Sequence, residues 1–167
     1  TAYGRFYIHK VIDEAEKNGF RVIYSDTDSV FVTLDGKPKK DAFEFQEKIN
    51  MELPELMELE YEGFYPSGIF VSAKVGKFGA KKKYALLSED GNLKIRGFET
   101  VRRNWSPIAK NVQENVLNII LKENKPDKAF KYVKGIVEKL RKNEIPLKEV
   151  IIYTQLQKEI DAYDSVG

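Results

Sequence analysis

The chain has 167 residues, enough for one compact domain or two small ones. Its hydrophobic content of 42% and charged content of 32% lie within the range of globular chains. No apolar run approaches the roughly eighteen residues of a membrane span, and no signal-peptide pattern is visible. The absence of cysteine excludes disulfides and thiolate metal sites.

The net charge of +2 hides an asymmetry. Residues 74–104 hold nine bases against three acids, a surplus of six, which leaves −4 for the remainder. Clustering of this kind is the electrostatic footprint of a polyanion partner. A solvated lysine-rich loop explains Lys74 and Lys77 equally well. The single histidine, His9, falls within the first helix pattern and is assigned no role.

Ile8, Val11, Ile12 and Ala15 mark one apolar helix face, and Asn18-Gly19 stops that helix. A hairpin follows over residues 20–34, then a loop at Asp35-Gly36-Lys37-Pro38. Asp41 with Glu44 predicts a capped second helix running to about Leu53, ended by Pro54. Strands are expected at residues 58–61, 69–72, 83–87 and Leu93–Arg96, with a turn at Ser88-Glu89-Asp90-Gly91-Asn92 between the last two. Beyond Trp105 the pattern turns helical. Ser106-Pro107 opens a helix carrying Ile108, Val112, Val116, Ile119 and Ile120 on one stripe. Pro126-Asp127 opens another, expected to bury Phe130, Val133, Val137 and Leu140. Thr154 with Gln157 is a capping box for a last short helix. The fold class is α+β: an antiparallel sheet with helices on one face, then a helical part.

Chemistry concentrates in Tyr24-Ser25-Asp26-Thr27-Asp28-Ser29. In an extended chain residues i and i+2 share a side, so Asp26 and Asp28 are expected to face one spot. Two crowded carboxylates need a cation, and Mg2+ suits them because it leaves room for water and phosphate ligands. The flanking strands are apolar on both faces, which predicts a hairpin inside a sheet. An EF-hand loop is excluded, because Val30 and Phe31 stand where it needs an oxygen ligand and a glycine. A solvated turn and the D-x-D of a nucleotide-sugar glycosyltransferase remain open on these residues alone.

The wording around the pair resembles the C motif of family B DNA polymerases, of archaeal type. Thr1-Ala2-Tyr3-Gly4-Arg5 resembles the helix segment before that hairpin. Leu59-Glu60-Tyr61-Glu62-Gly63-Phe64-Tyr65 resembles the palm strand after it. Lys81-Lys82-Lys83-Tyr84-Ala85 resembles the basic Lys-Lys-x-Tyr motif. Arg96-Gly97-Phe98-Glu99 with Val101-Arg102-Arg103-Asn104-Trp105 resembles the entry to the thumb. The five blocks run in family order almost from end to end.

The resemblance implies residues 1–104 as C-terminal palm and 105–167 as an incomplete thumb. It implies a DNA-directed DNA polymerase activity in replication, with Asp28 a metal ligand and Asp26 a supporting acid of a two-metal Mg2+ site. Tyr24 and Thr27 would support the hairpin. Lys81, Lys82, Lys83 and Tyr84 would grip the primer–template duplex, with Arg96, Arg102 and Arg103 as further phosphate contacts. Asn104 stands where archaeal relatives usually carry Asp. Residues 73–80 look like an insertion.

The family's A-motif Asp, its fingers with the triphosphate-binding Lys and Arg, and its exonuclease acids have no counterpart in these residues. The implied partners are primer–template DNA, a deoxynucleoside triphosphate, and a larger chain carrying exonuclease, remaining palm and fingers. Either the sequence is cut from a longer polymerase, or it is the small subunit of a split archaeal enzyme, expected in the cytoplasm at the nucleoid. A non-catalytic DNA-binding module of a polymerase is the alternative. Gln157, Ile160 and Tyr163 match a sliding-clamp peptide only in part, since Asp164 takes the place of its second aromatic.

Overall fold

The computed structural model describes residues 2–72, 79–102 and 104–153. Most of the 73–80 stretch, Arg103, and both the helix expected from Thr154 and the clamp-like residues Gln157, Ile160 and Tyr163 therefore lie outside the described residues. The fold is α+β, with small antiparallel sheets and helices. The chain divides into two compact units. The first comprises Thr1–Phe64 with Phe70–Lys82, and the second Tyr65–Ile69 with Lys83–Gly167.

The first unit begins with helix α1, Ala2–Lys17. Val11 and Ala15 are buried on its expected face, and it packs against both strands of the hairpin that follows. Gly19 ends it in the left-handed conformation (φ 75°), and the Phe20 N–H reaches back to the Ala15 carbonyl at 2.9 Å. The hairpin is β1, Arg21–Asp26, paired antiparallel with β2, Ser29–Thr33.

These two strands form a sheet of their own, so the hairpin is not inside a larger sheet among the described residues. Its strands are half-buried, and the register skips Ile23, leaving that residue 42% exposed. The skipped residue is a bulge, which bends the strand and turns an apolar side chain outward.

Helix α2, Lys39–Glu52, starts two residues before the expected cap. Pro38 is its N-cap, and Asp41 lies within the first turn, where a carboxylate favours the helix dipole without capping it. Residues 58–61 are not a strand. Side chains of α2 satisfy that backbone instead: Leu59 N–H donates to Asn50 Oδ1 at 2.7 Å, and Asn50 Nδ2 and Gln46 Nε2 donate to Leu59 O at 3.0 and 2.7 Å. A peptide satisfied by helix amides has no need of a neighbouring strand.

Three strands, β3 (Ser67–Ser72), β4 (Gly79–Leu87) and β5 (Leu93–Arg96), form the second sheet in that order. The β4–β5 turn falls at residues 88–92 as expected, with Ser88 N–H donating to Asn92 O at 2.9 Å.

In the second unit a short 3-10 turn, Glu99–Val101, leads to α3, Pro107–Glu123, with Ser106 as N-cap and Pro107 at the first turn. Leu117 and Leu121 are its buried residues, and Asn124 closes it in the left-handed conformation. Helix α4, Pro126–Arg141, packs on α3 but does not bury the expected stripe. Ala129 is buried, whereas Phe130 is 72% exposed and Val137 and Leu140 are each 38% exposed. The helix therefore turns the small Ala129 inward and leaves larger side chains of the stripe outward. A one-turn helix, α5 (Leu147–Val150), follows.

Candidate active site

The acidic pair sits at the tip of the β1–β2 hairpin. Asp26 and Ser29 are the closing pair, so Thr27 and Asp28 form the turn itself. Strand alternation therefore ends at Asp26, and it does not place Asp28. The Asp28 side chain is instead presented from an exposed turn, whose backbone is fixed by Asp28 N–H donating to Asp26 O. Ser29 Oγ donates to the same carbonyl at 3.3 Å. Thr27 takes φ 31°, unusual for a β-branched residue. Its hydroxyl donates to Asp26 Oδ1 at 3.0 Å, which orients that carboxylate.

Tyr24 braces the hairpin from below. Its ring lies 5.9 Å from Phe31 and 5.2 Å from Phe70, and Phe31 and Phe70 are 5.4 Å apart. This triangle joins β1, β2 and β3, and aromatic contacts at these separations add to the area they bury. The Tyr24 hydroxyl also accepts the N–H of Lys82 at 2.7 Å. Lys82 takes a left-handed backbone (φ 55°) within β4, and its Nζ lies 3.8 Å from Asp26 Oδ2. The structure thus brings Tyr24, Thr27, Asp26 and Lys82 together. Phe70 carries no signal of this role in the sequence, because the periodicity of a short apolar strand does not say which ring meets which.

Among the described residues no group of three or more His, Cys, Asp or Glu side chains could hold a metal. The donor set at the hairpin is two carboxylates, hard oxygen ligands that suit Mg2+ and leave most of its positions open. That set fits only one side of a metal site.

Of the remaining described candidates, Lys81 lies in β4, and Lys83, Tyr84, Arg96 and Arg102 lie in the second unit. Tyr84 pairs with Arg96 across the β4–β5 ladder. Arg96 and Arg102 are exposed. Lys83 is tied inward, with its Nζ donating to Glu99 Oε1 at 2.9 Å. Gln113 Nε2 donates to Glu99 Oε2 at 2.7 Å. These two hydrogen bonds, Gln113 first, hold the Glu99 carboxyl down at about 2. Gln113 gives no local signal in the sequence, since its partners lie 13 and 14 residues away.

Residues 2–167 match the sequence profile of DNA polymerase family B. The DNA polymerase of Pyrococcus glycovorans is 48% identical over 172 aligned residues, covering 100% of this chain and 21% of that protein. The DNA polymerase of Thermococcus gorgonarius is 45% identical with the same coverage. DNA polymerase 1 of Pyrococcus abyssi is 48% identical, again over 100% of this chain and 21% of its own length. The chain spans about a fifth of the length of these relatives.

Proposed function

This chain belongs to DNA polymerase family B, and on that premise we propose that it forms the C-terminal palm and the start of the thumb of a DNA-directed DNA polymerase. The palm part is residues 1–104 and the thumb part 105–167. The observation that carries the reading is the Asp26-Thr27-Asp28 tip, braced by Tyr24 and accompanied by Lys82, within a chain that matches the family over its whole length.

Asp28 and Asp26 would hold part of a Mg2+ site, which supplies charge stabilisation to the attacking and leaving oxygens of phosphoryl transfer. The exposed Asp28 presents its carboxylate from the turn, and Thr27 orients Asp26. Tyr24 and its ring partners keep the tip from shifting when a primer end and a triphosphate arrive. Such positioning is most of what a protein contributes to this chemistry.

Lys81, Lys82 and Tyr84, with Arg96, Arg102 and Arg103, form the grip on the primer–template duplex, while Lys83 of the same run is tied to Glu99. Phosphate neutralisation and contacts to acceptors common to all base pairs give binding that is nearly blind to sequence, as copying requires. The missing palm carboxylate and the fingers come from a larger chain, either continuous with this one or a separate subunit. The exposed aromatic turn at the start of α1, where Tyr3 is 72% and Phe6 65% exposed, supports docking of such a chain.

The test is complementation. The 167-residue chain alone should not extend a primer. Mixing it with a polypeptide carrying the remaining palm and fingers should give Mg2+-dependent synthesis that neither shows alone. Extension by this chain alone, free of contaminating polymerase, would overturn the reading. Duplex binding without any synthesis in the mixture would leave the non-catalytic module instead.

A further inference from the structure

Lys83 belongs to the basic run of β4, yet its side chain is only 29% exposed, against 72% for Lys82. Its Nζ donates to Glu99 Oε1 at 2.9 Å and lies 5.2 Å from the centre of the buried Phe98 ring. Glu99 Oε2 accepts from Gln113 Nε2 at 2.7 Å, and Gln113 Oε1 accepts the N–H of Thr100 at 2.9 Å.

The polarity of this relay is fixed, because both Glu99 oxygens accept. A glutamine at position 99 would turn its NH2 toward one of two donors. Flipping Gln113 to meet it would turn another NH2 toward the Thr100 N–H. The Glu99 carbonyl accepts the N–H of Arg102 at 3.0 Å, closing the 3-10 turn, and Arg102 leaves that turn exposed. A strand, a turn and helix α3 therefore meet at one carboxylate, and the backbone of Arg102 hangs from the same residue.

We infer that Lys83 directs its charge to Glu99 and not to phosphate, and that Lys83, Glu99 and Gln113 are positioning residues that aim Arg102 at the duplex backbone. The inference rests on the duplex grip proposed above. It separates two neighbouring lysines that look equivalent in sequence: Lys82, 72% exposed beside Asp26, can reach phosphate, and Lys83 is held between a carboxylate and a ring face.

The experiment is a titration of primer–template binding across salt concentrations, using the complete polymerase that carries this chain. The variants are Glu99→Gln, Lys83→Met, Lys83→Arg, Arg102→Ala and the double variant Lys83→Met with Arg102→Ala. Glu99→Gln should weaken binding roughly tenfold, the scale of one charge-assisted hydrogen bond, although it removes a negative charge beside the duplex. Lys83→Met should match that effect, and Lys83→Arg should stay near wild type. The double variant should bind no more weakly than Arg102→Ala alone, because both changes then remove the same interaction.

Binding by Glu99→Gln as tight as wild type or tighter would overturn the inference, since a freed Lys83 would then be touching phosphate. Additive losses in the double variant would overturn it too. Where Lys83→Met does not fold, the sign of the Glu99→Gln effect and the behaviour of Lys83→Arg decide the matter. A wild-type protein without salt-dependent duplex binding would instead remove the grip reading itself.

Discussion

Lys82 Nζ stands 3.8 Å from Oδ2 of Asp26, so a cation from β4 neighbours the carboxylate at the hairpin tip. The lysine side chain is 72% exposed against 21% for Asp26, and at 3.8 Å with solvent around the ammonium the pair contributes only about 1 kcal/mol or less. The pair therefore leaves Lys82 available to the duplex. Lys82→Ala should weaken primer–template binding equally for all sequences and lower the salt slope by about 0.9 for the single phosphate left without its cation. A titration across salt concentrations measures it. An unchanged slope would remove Lys82 from the grip.

Tyr24 separates two supports of the same tip. Tyr24→Phe keeps the rings near Phe31 and Phe70 but takes the acceptor from the Lys82 N–H. It should cost about 0.5–1 kcal/mol in urea unfolding, since exposed Lys82 regains water. Tyr24→Ala also loses the ring triangle and should cost about 2 kcal/mol or more. Equal losses would show that the rings hold nothing.

Much of this architecture was legible in the sequence. The left-handed stop at Gly19, the Ser106-Pro107 helix start and the strand Leu93–Arg96 follow from local chemistry and appear where expected. The failures share one cause. Residues 58–61 carry strand-forming side chains, but Asn50 and Gln46 satisfy the Leu59 peptide. The stripe on α4 has helical spacing, but the helix, packed on α3, buries Ala129 and leaves Phe130 exposed. In each case a partner distant in sequence decides. The site shows the same division: Asp26 and Asp28 are visible as a motif, whereas the turn that presents Asp28 and the link from Tyr24 to Lys82 are tertiary facts.

Glu99 gives the second unit a defined response to acid. Hydrogen bonds from Gln113 and Lys83 lower its carboxyl from the ordinary 4.5 to about 2. A depressed carboxyl stabilises the fold above its unfolded value and loses that contribution as pH falls through the folded one. The stability difference between wild type and Glu99→Gln should be flat above pH 4.5 and shrink between 4.5 and about 2. Thermal unfolding at several pH values checks this. A difference that grew on acidification would contradict the pairing.

Thr100 beside it carries a cost. Its Oγ1 is sealed from solvent and has no hydrogen-bond partner among the described residues. Thr100→Val keeps the shape and the N–H donated to Gln113 while removing the orphan hydroxyl. The variant should be more stable by about 1 kcal/mol. Denaturant unfolding that shows a loss would mean the hydroxyl has a partner after all.

The Asp26-Thr27-Asp28 tip is proposed above as half of a polymerase active site. Single-turnover nucleotide incorporation by an assembled polymerase carrying Asp28→Ala, at saturating Mg2+ and with duplex binding measured in parallel, tests it most directly. Asp28 lies in an exposed turn, so its removal should leave the fold and duplex affinity nearly intact while incorporation disappears. Asp26→Ala should be severe but less complete. Incorporation by Asp28→Ala at even about a tenth of the wild-type rate would leave less than 1.4 kcal/mol for this carboxylate and contradict its place in the metal site.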